Sequence, residues 1–273
     1  MNTTRRMAPA LLAALLASGL AACGSSAGAH ADGSSASKPA TSLSATDPLA
    51  GLTAPQVFDK ALADTAAASD VRYTLSGDLT GPGAPAGVQG LTARLAVARG
   101  KGCTGTVYLD SLKQGPLGTL QVVVAGSTIW VKADTTYWQN VVSSHRNTPG
   151  AASLLALAGK YVQDSAAGTS DFAELSSLCV VGENFKSPSS VGMTGKLTKD
   201  GVSQYNGQQV LTIMDVAQNA YAVVTDTSTP LFVEVEPPSG TGLSSLDFSG
   251  YGQPVTITPP PASEVVDGSE YGL

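Results

Sequence analysis

Apolar and polar side chains alternate along most of residues 71–131, which is the pattern of β-strands that bury one face. In "VRYTLSGDL" the side chains of Val71, Tyr73 and Leu75 share one face, and Arg72 and Thr74 share the other. The same alternation recurs in "LTARLAVAR", "TGTVYLDS", "GTLQVVVAG" and "STIWVKA". Because short glycine-containing turns separate most of these runs, the pattern predicts an antiparallel meander with one apolar face.

Residues 122–131 predict a hairpin whose turn is Gly126-Ser127. Glycine at the first central position suits a type II′ turn. A two-residue turn fixes the strand register, which pairs Val124 with Ile129, Val122 with Val131, Val123 with Trp130, and Gln121 with Lys132. This register places Trp130 on the mostly polar face of the sheet, whereas Trp138 comes after the strand has ended.

Two regions have helical spacing instead of alternation. Thr53 and Gln56 form a capping-box pair with Pro55 in the first turn, and an apolar stripe begins at Val57 and Phe58. Between residues 147 and 190 the apolar positions again recur at helical intervals: Leu154, Leu155, Leu157, Phe172, Leu175 and Leu178. We expect an N-terminal helix and, in the middle of the chain, short helices that lie over the sheet.

Strand-like alternation returns near Met193 and continues to the C-terminal region. Asn206-Gly207 is a tight-turn signal within it. In "PLFVEVEPP" the alternation predicts that Leu231, Val233 and Val235 share one face, with Phe232, Glu234 and Glu236 on the other. One last strand is expected in "SSLDFSG", followed by an extended proline-rich tail.

The first 23 residues have the layout of a bacterial lipoprotein signal. Arg5 and Arg6 precede an apolar run from Ala8 to Ala17, and "LAAC" ends at Cys23. This order predicts a signal peptide over residues 1–22 and a diacylated Cys23, the alternative being a plain secretory signal with a chance cysteine. No other stretch is long and apolar enough for a transmembrane helix. We therefore expect the mature protein at the outer face of the cell membrane, held by a lipid anchor.

Residues 23–50 are rich in serine, alanine and glycine, a composition that predicts a flexible tether. Without residues 1–22 the chain keeps 13 basic and 21 acidic residues, a net charge of −8. This balance argues against nucleic acid as a partner. Residues 51–273 are enough for a single β-rich domain with a sizeable core.

If Cys23 carries lipid, Cys103 and Cys179 remain as an even pair in an exported domain. That context favours a disulfide bond, and the alternative is two separate buried thiols.

The sequence carries no convincing catalytic, metal-binding or cofactor motif. His145 is the only histidine after the tether, so a Ser/His/Asp triad would have to use it. The surrounding "SSHRNTPG" is typical of a surface loop. No cluster of histidine and cysteine is present for a metal, and no phosphate or dinucleotide loop has the required spacing. We therefore expect a protein that is not an enzyme and that needs no cofactor.

Several segments resemble the LppX/LprG lipoproteins of actinobacteria, which share a fold with the LolA/LolB lipoprotein carriers. They are "DKALADTAAASDVRYTLSGDL", "GKGCTGTVYLD", "GSTIWVKADTTYWQ", "PLFVEVEPP" and "LDFSGYGQPVTITPPP". The resemblance implies an α+β fold, a strongly curved antiparallel half-barrel with helices across its concave face. It also implies an apolar cavity between sheet and helices that binds a lipid or lipidated molecule.

The side chains expected to line that cavity come from the apolar strand face and from the helical segments. They are Val71, Tyr73, Leu75, Leu95, Val97, Val107, Leu109, Val122, Val124, Ile129, Val131, Tyr137, Trp138, Leu154, Leu155, Phe172 and Leu175. We expect Trp138, together with Tyr137, to border the cavity mouth at the rim of the concave side, and Trp130 to lie on the opposite, outer face of the sheet. Two alternatives stay open: an interaction or sensor lipoprotein with a filled core and an envelope protein partner, and an unrecognised hydrolase.

Overall fold

The computed structural model describes residues 47–78, 89–111, 115–147, 150–167, 172, 175–183, 186–239 and 242–271. The predicted signal peptide, Cys23 and the tether up to residue 46 lie outside the described residues. Leu49, within the segment that the sequence predicts as tether, is fully buried and belongs to the core.

Within the described ranges, twelve strands form one sheet, and two α-helices that are described over their whole length pack against it. The helices are α1 (Ala54–Ala67) and α2 (Thr135–Ser144). The strands are β1 (Asp70–Asp78), β2 (Gly90–Ala98), β3 (Gly102–Ser111), β4 (Gly115–Ala125), β5 (Thr128–Ala133), β6 (Tyr161–Ser165), β7 (Leu197–Tyr205), β8 (Gln208–Asp215), β9 (Ala220–Thr225), β10 (Phe232–Glu236), β11 (Ser245–Ser249) and β12 (Val265–Asp267).

The sheet joins two meanders through one central pair of strands. Its order is β12-β6-β5-β4-β3-β2-β1-β11-β10-β9-β8-β7. Strand β1 pairs with β11, which brings the C-terminal meander beside the first one. Every described pairing is antiparallel except that of β12 with β6. The predicted fold class, an α+β half-barrel built on an antiparallel sheet, is confirmed.

The hairpin of β4 and β5 has the register that the sequence predicts. Val124 pairs with Ile129, Val122 with Val131, Val123 with Trp130, and Gln121 with Lys132. Gly126 has a positive φ of 58°, as the first central residue of a type II′ turn requires. The Asn206-Gly207 turn is also confirmed, because it joins β7 to β8 with φ angles of 50° and 79°.

The face prediction for β10 is wrong at Phe232. Phe232 and Val235 are both fully buried, although they are three positions apart. The strand register shifts between Phe232 and Glu234, which is the signature of a β-bulge at Val233. Because a bulge adds one residue without adding a partner, it reverses the alternation on one side of itself.

The middle of the chain contains short helices, as the sequence predicts, and they are of the 3₁₀ type. It contains 3₁₀ helices at Ala151–Leu157, Ser176–Glu183 and Pro188–Val191. Strand β6 lies between the first two, and the proline-rich tail ends in β12, neither of which the sequence pattern indicated. The α-helix after β5, α2, was also not predicted.

Candidate functional site

The inner face of the sheet is apolar over most of its width, with Asp215 of β8 as a buried polar member. Its side chains alternate along the strands with polar ones that face outward. They belong to a single core cluster that also takes in residues of α1, α2 and the 3₁₀ segments. The inner-face members are Val71, Tyr73, Leu75, Leu91, Ala93, Leu95, Val97, Val107, Leu109, Leu120, Val122, Val124, Ile129, Val131, Val162, Leu211, Ile213, Ala222, Val224, Phe232, Val235, Leu246 and Phe248.

Helix α1 covers the part of this face formed by the C-terminal meander. The predicted capping box is present, since Gln56 N–H donates to Thr53 Oγ1 and Thr53 N–H donates to Gln56 Oε1. Phe58 is fully buried, and its ring meets that of Phe232 edge-on with centroids 5.0 Å apart. At the other end of the helix, Thr65 Oγ1 accepts a 3.1 Å hydrogen bond from the backbone N–H of Phe232. These contacts fix α1 to β10.

Helix α2 covers the opposite part of the sheet and is attached to β4 by one carboxylate. Asp134 is its N-cap: Oδ1 accepts from Tyr137 N–H at 2.8 Å, and Oδ2 accepts from Thr119 N–H at 3.0 Å. Asn140 adds a bond from its side-chain Nδ2 to the Leu117 carbonyl at 2.9 Å. The backbone groups at the helix start are thereby paired with the neighbouring strand, which sets the direction in which the helix side chains point.

This attachment places Trp138 in the interior. Its side chain is 1% exposed, and its ring lies edge-on to those of Tyr137 and Phe172, with centroids 5.2 Å and 6.3 Å away. The indole Nε1 is buried and has no hydrogen-bond partner among the described residues. An apolar, aromatic environment therefore surrounds a polar donor.

Trp130 lies on the outer face of the sheet, as the sequence predicts. Its Nε1 donates to Gln163 Oε1 of the neighbouring strand at 3.2 Å. The same outer face carries Lys132, whose Nζ is 5.1 Å from the centre of the Tyr161 ring. The two tryptophans thus lie on opposite sides of the sheet, as predicted, but Trp138 lies inside the core and not at the rim.

A disulfide bond ties the middle segment to the sheet. Cys103 of β3 and Cys179 of the second 3₁₀ helix are bonded, with Cα atoms 5.6 Å apart. The alternative of two separate thiols is thereby excluded. The bond holds Leu175 and Leu178, both buried, close to the inner face next to β2 and β3.

Two carboxylates meet where the described chain begins. Asp226, which is 8% exposed, lies beside Asp47, the first described residue. Burial, together with the hydrogen bond and the negative charge of Asp47, raises the pKa of Asp226 to about 6. The Lys199 ammonium acts in the opposite direction, and it also donates to the Leu49 carbonyl. The end of the tether is therefore docked by Lys199 of β7, which binds the Leu49 carbonyl, and by the contact of Asp47 with Asp226 at the end of β9.

Most of the side chains expected to line a cavity are brought together on the inner face and its cover. Tyr137 and Leu154 pack against the core from partly buried positions, whereas Leu155 is 42% exposed and points away. The rest are buried in the core cluster: Val71, Tyr73, Leu75, Leu95, Val97, Val107, Leu109, Val122, Val124, Ile129, Val131, Trp138, Phe172 and Leu175. The sequence missed the role of Asp134, whose signal was an N-cap type residue three positions before Tyr137.

His145 ends α2 and is not arranged as a triad base. Its Nδ1 lies 2.9 Å from the carbonyl oxygen of Val141, the position that a carboxylate takes in a Ser/His/Asp triad. Within the described ranges, no group of three or more histidine, cysteine or acidic side chains is placed to hold a metal ion. No described helix is both long and apolar enough to cross a membrane.

No protein-family profile and no curated protein sequence matches the chain. Among solved structures, LprF from Mycobacterium bovis is similar with a TM-score of 0.44 and 14% identity, over 76% of this chain and 96% of LprF. Lipoprotein LppX from Mycobacterium tuberculosis gives 0.42 and 15% identity, over 75% of this chain and 98% of LppX. A LolA superfamily protein from Nitrosomonas europaea gives 0.24 and 9% identity, over 76% and 98%. These are the folds that the sequence resembles, and at such TM-scores they carry nothing about function.

Proposed function

We propose that this protein is a membrane-anchored lipoprotein that binds or carries a lipid or lipidated molecule between its sheet and its helices. The observation that supports this most is the largely apolar inner face of a twelve-stranded sheet, which helices and 3₁₀ segments cover among the described residues. The α-helices α1 and α2 lie in that cover, and 3₁₀ segments complete it among the described residues.

The dimensions favour an elongated apolar ligand. Twelve strands spaced about 4.8 Å apart extend for about 50 Å across the sheet. Helices of 14 and 10 residues are about 21 Å and 15 Å long, and each is about 10 Å wide. The two helices therefore cover only part of the inner face. Short 3₁₀ segments complete the cover over β2 and β3, where the disulfide bond holds them to the sheet.

The predicted lipid anchor at Cys23 would hold this apolar face close to the lipids of the membrane. A diacylated Cys23 would anchor the chain stably, because two acyl chains hold a protein at a membrane where one does not. The serine-, alanine- and glycine-rich segment after it would connect the anchor to the folded domain. The docked Leu49 is the point at which that segment would join the folded domain. The lipid anchor would thus keep the domain within reach of the outer membrane leaflet.

Replacing two alanine residues of β2 with phenylalanine, one at a time, tests the proposal. Ala93 is fully buried on the inner face, and Ala96 faces outward. The full chain, its Ala93→Phe variant and its Ala96→Phe variant are each titrated with a diacyl phospholipid in a mild non-ionic detergent, and native mass spectrometry counts the bound lipid. We expect the unmodified chain and A96F to bind equally, and A93F to bind about tenfold more weakly because its ring occupies ligand space.

The thermal midpoints of the same variants distinguish a core that has space for a ligand from a core that is completely filled. In a filled core the added ring has no room, so A93F costs about 1–3 kcal/mol of stability. With space for a ligand, A93F is as stable as A96F in the absence of lipid. An unmodified chain that binds no phospholipid, together with a destabilised A93F, would contradict the proposal and favour an interaction or sensor lipoprotein.

A further inference from the structure

The indole N–H of Trp138 is a buried donor for which the described residues supply no acceptor. The side chain is 1% exposed, and Nε1 has no hydrogen-bond partner among the described residues. Trp130, the other tryptophan, has its Nε1 bonded to Gln163 although it is less buried. Buried tryptophan N–H groups are normally paired, and leaving one unpaired costs as much as a lost hydrogen bond. A phenylalanine would provide the same apolar packing without that cost.

The contacts of α2 with β4 hold Trp138 in place, so its indole N–H cannot easily reorient toward another acceptor. The Asp134 carboxylate binds both the first turn of α2 and Thr119 N–H of β4. Gly118 allows the helix to approach β4 so closely that a Cβ atom there would be 2.5 Å from the Tyr137 Cβ atom. The helix therefore fixes the backbone of Trp138 against the strand, and the aromatic rings of Tyr137 and Phe172 flank the indole.

The surroundings favour a ligand atom over a water molecule as the missing acceptor. A buried water needs two to four polar partners, and of the two rings that flank the indole only that of Tyr137 carries a polar group. A ligand that is apolar along its length and carries one strong acceptor would satisfy the N–H and keep the aromatic contacts. The carbonyl oxygen of an acyl ester has this chemistry, since it combines a hydrocarbon chain with a single exposed acceptor.

We propose that Trp138 is a specificity-determining residue that donates a hydrogen bond from Nε1 to the ester carbonyl of an acylated lipid. The inference rests on the proposed lipid-binding function, and it adds that the site distinguishes ester-linked from ether-linked chains. An ether lipid of the same headgroup and chain length fills the same space but has no carbonyl at that position. Binding it would leave the donor buried and unpaired.

A competition between two lipids tests this inference. The full chain in mild non-ionic detergent receives equal amounts of a diacyl phospholipid and its dialkyl ether analogue, and native mass spectrometry reads the ratio of the two complexes. We expect about a tenfold preference for the ester lipid in the unmodified chain. Trp138→Phe should bind both lipids equally, with the affinity for the ether lipid unchanged. Trp130→Phe, the matched control, should keep the preference.

The outcomes separate this inference from the proposed function. If neither lipid binds, the proposed function fails. If both bind equally to the unmodified chain, the lipid-binding function stands and the role of Trp138 is overturned, as it also is if W138F keeps the ester preference. Should W138F not fold, benzothienylalanine at position 138 keeps the bicyclic shape without the N–H and gives the same test.

Nuclear magnetic resonance gives an independent readout in the unmodified chain. Because the chain has two tryptophans, its ¹⁵N spectrum has two indole N–H signals, which W130F assigns. We expect the Trp138 proton to move downfield with the ester lipid and to stay in place with the ether lipid, while the Trp130 signal serves as the internal reference. A purely structural Trp138 would respond to both lipids alike.

Discussion

Gly118 of β4 lies so close to Tyr137 of α2 that the helix rests directly on the strand. A Cβ atom on Gly118 would be 2.5 Å from the Tyr137 Cβ atom and 2.7 Å from its backbone N and Cα atoms. Gly118 also has a φ of 140°, which side-chain-bearing residues rarely adopt. The position of α2, and with it that of Trp138, therefore depends on the absence of a side chain at residue 118.

Replacing Gly118 with alanine should lower the free energy of unfolding by about 2–4 kcal/mol, because it adds a backbone clash to an unfavourable φ. Urea unfolding followed by tryptophan fluorescence measures the loss. Gly126→Ala is the matched control: its φ of 58° is also positive, but nothing lies within 4 Å of the added Cβ. G126A should cost only about 1–2 kcal/mol. Equal losses in the two variants would show that α2 does not rest on Gly118.

Asp134 should contribute through two separable hydrogen bonds. Asp134→Asn can still accept from Tyr137 N–H but places an amide group where Thr119 N–H needs an acceptor, so we expect a loss of about 1 kcal/mol. Asp134→Ala removes both acceptors and should cost about 2–3 kcal/mol. Chemical denaturation of the two variants gives the difference. An alanine variant no less stable than the asparagine variant would mean that the bond from Tyr137 N–H contributes nothing.

The disulfide between Cys103 and Cys179 should stabilise the fold mainly by restricting the unfolded chain. The two cysteines are 76 residues apart, and closing a loop of that length is worth about 4 kcal/mol. The double variant Cys103→Ser/Cys179→Ser should therefore melt at a lower temperature, and protease should cut it first within the 3₁₀ segments over β2 and β3. The oxidised and reduced forms of the unmodified chain provide the control. Equal melting temperatures would contradict this account.

The Asp47–Asp226 pair should make the stability fall as pH rises. Asp226 has a pKa of about 6 in the folded chain, above its ordinary value of 3.8, so folding favours its protonated form. That contribution is complete below about pH 4 and is lost as the pH rises through about 6. Asp226→Asn, which stays neutral, should gain stability relative to the unmodified chain between pH 4 and pH 7.

Thermal melts at pH 4, 5, 6 and 7 measure this difference. The exposed Asp59 of α1 supplies the control, because Asp59→Asn should leave the pH profile of the melting temperature unchanged. A profile of D226N that runs parallel to that of the unmodified chain would show that Asp226 does not bind a proton on folding in this range.

Much of the sheet could be predicted from the sequence because neighbouring residues determine where its strands and turns lie. The register of β4 and β5 follows from a two-residue turn at Gly126-Ser127, and the structure has that register. The β10 alternation failed at Phe232 because a bulge interrupts the period of two, and a bulge at Val233 leaves no signal in the pattern itself.

The segments that the sequence did not predict depend on distant contacts. Helix α2 is built from "TTYWQNVVSS", in which β-branched and aromatic residues favour a strand. It becomes helical where the Asp134 cap and the space above Gly118 support it. Strand β12 pairs with β6 across about a hundred residues of chain, and three residues are too few for any periodic signal. The unpaired state of Trp138 Nε1 could be recognised only from its three-dimensional surroundings.

The most direct test of lipid binding is the mass of the full chain as it leaves the membrane, with no lipid added. The mass under denaturing conditions reports covalent groups, including any acyl chains on Cys23. The native mass additionally contains whatever is held between sheet and helices. We predict a native mass that exceeds the denatured mass by one or more lipids and that collisional activation reduces to the denatured value. Identical native and denatured masses, from chain extracted under conditions that preserve lipid complexes, would contradict the account.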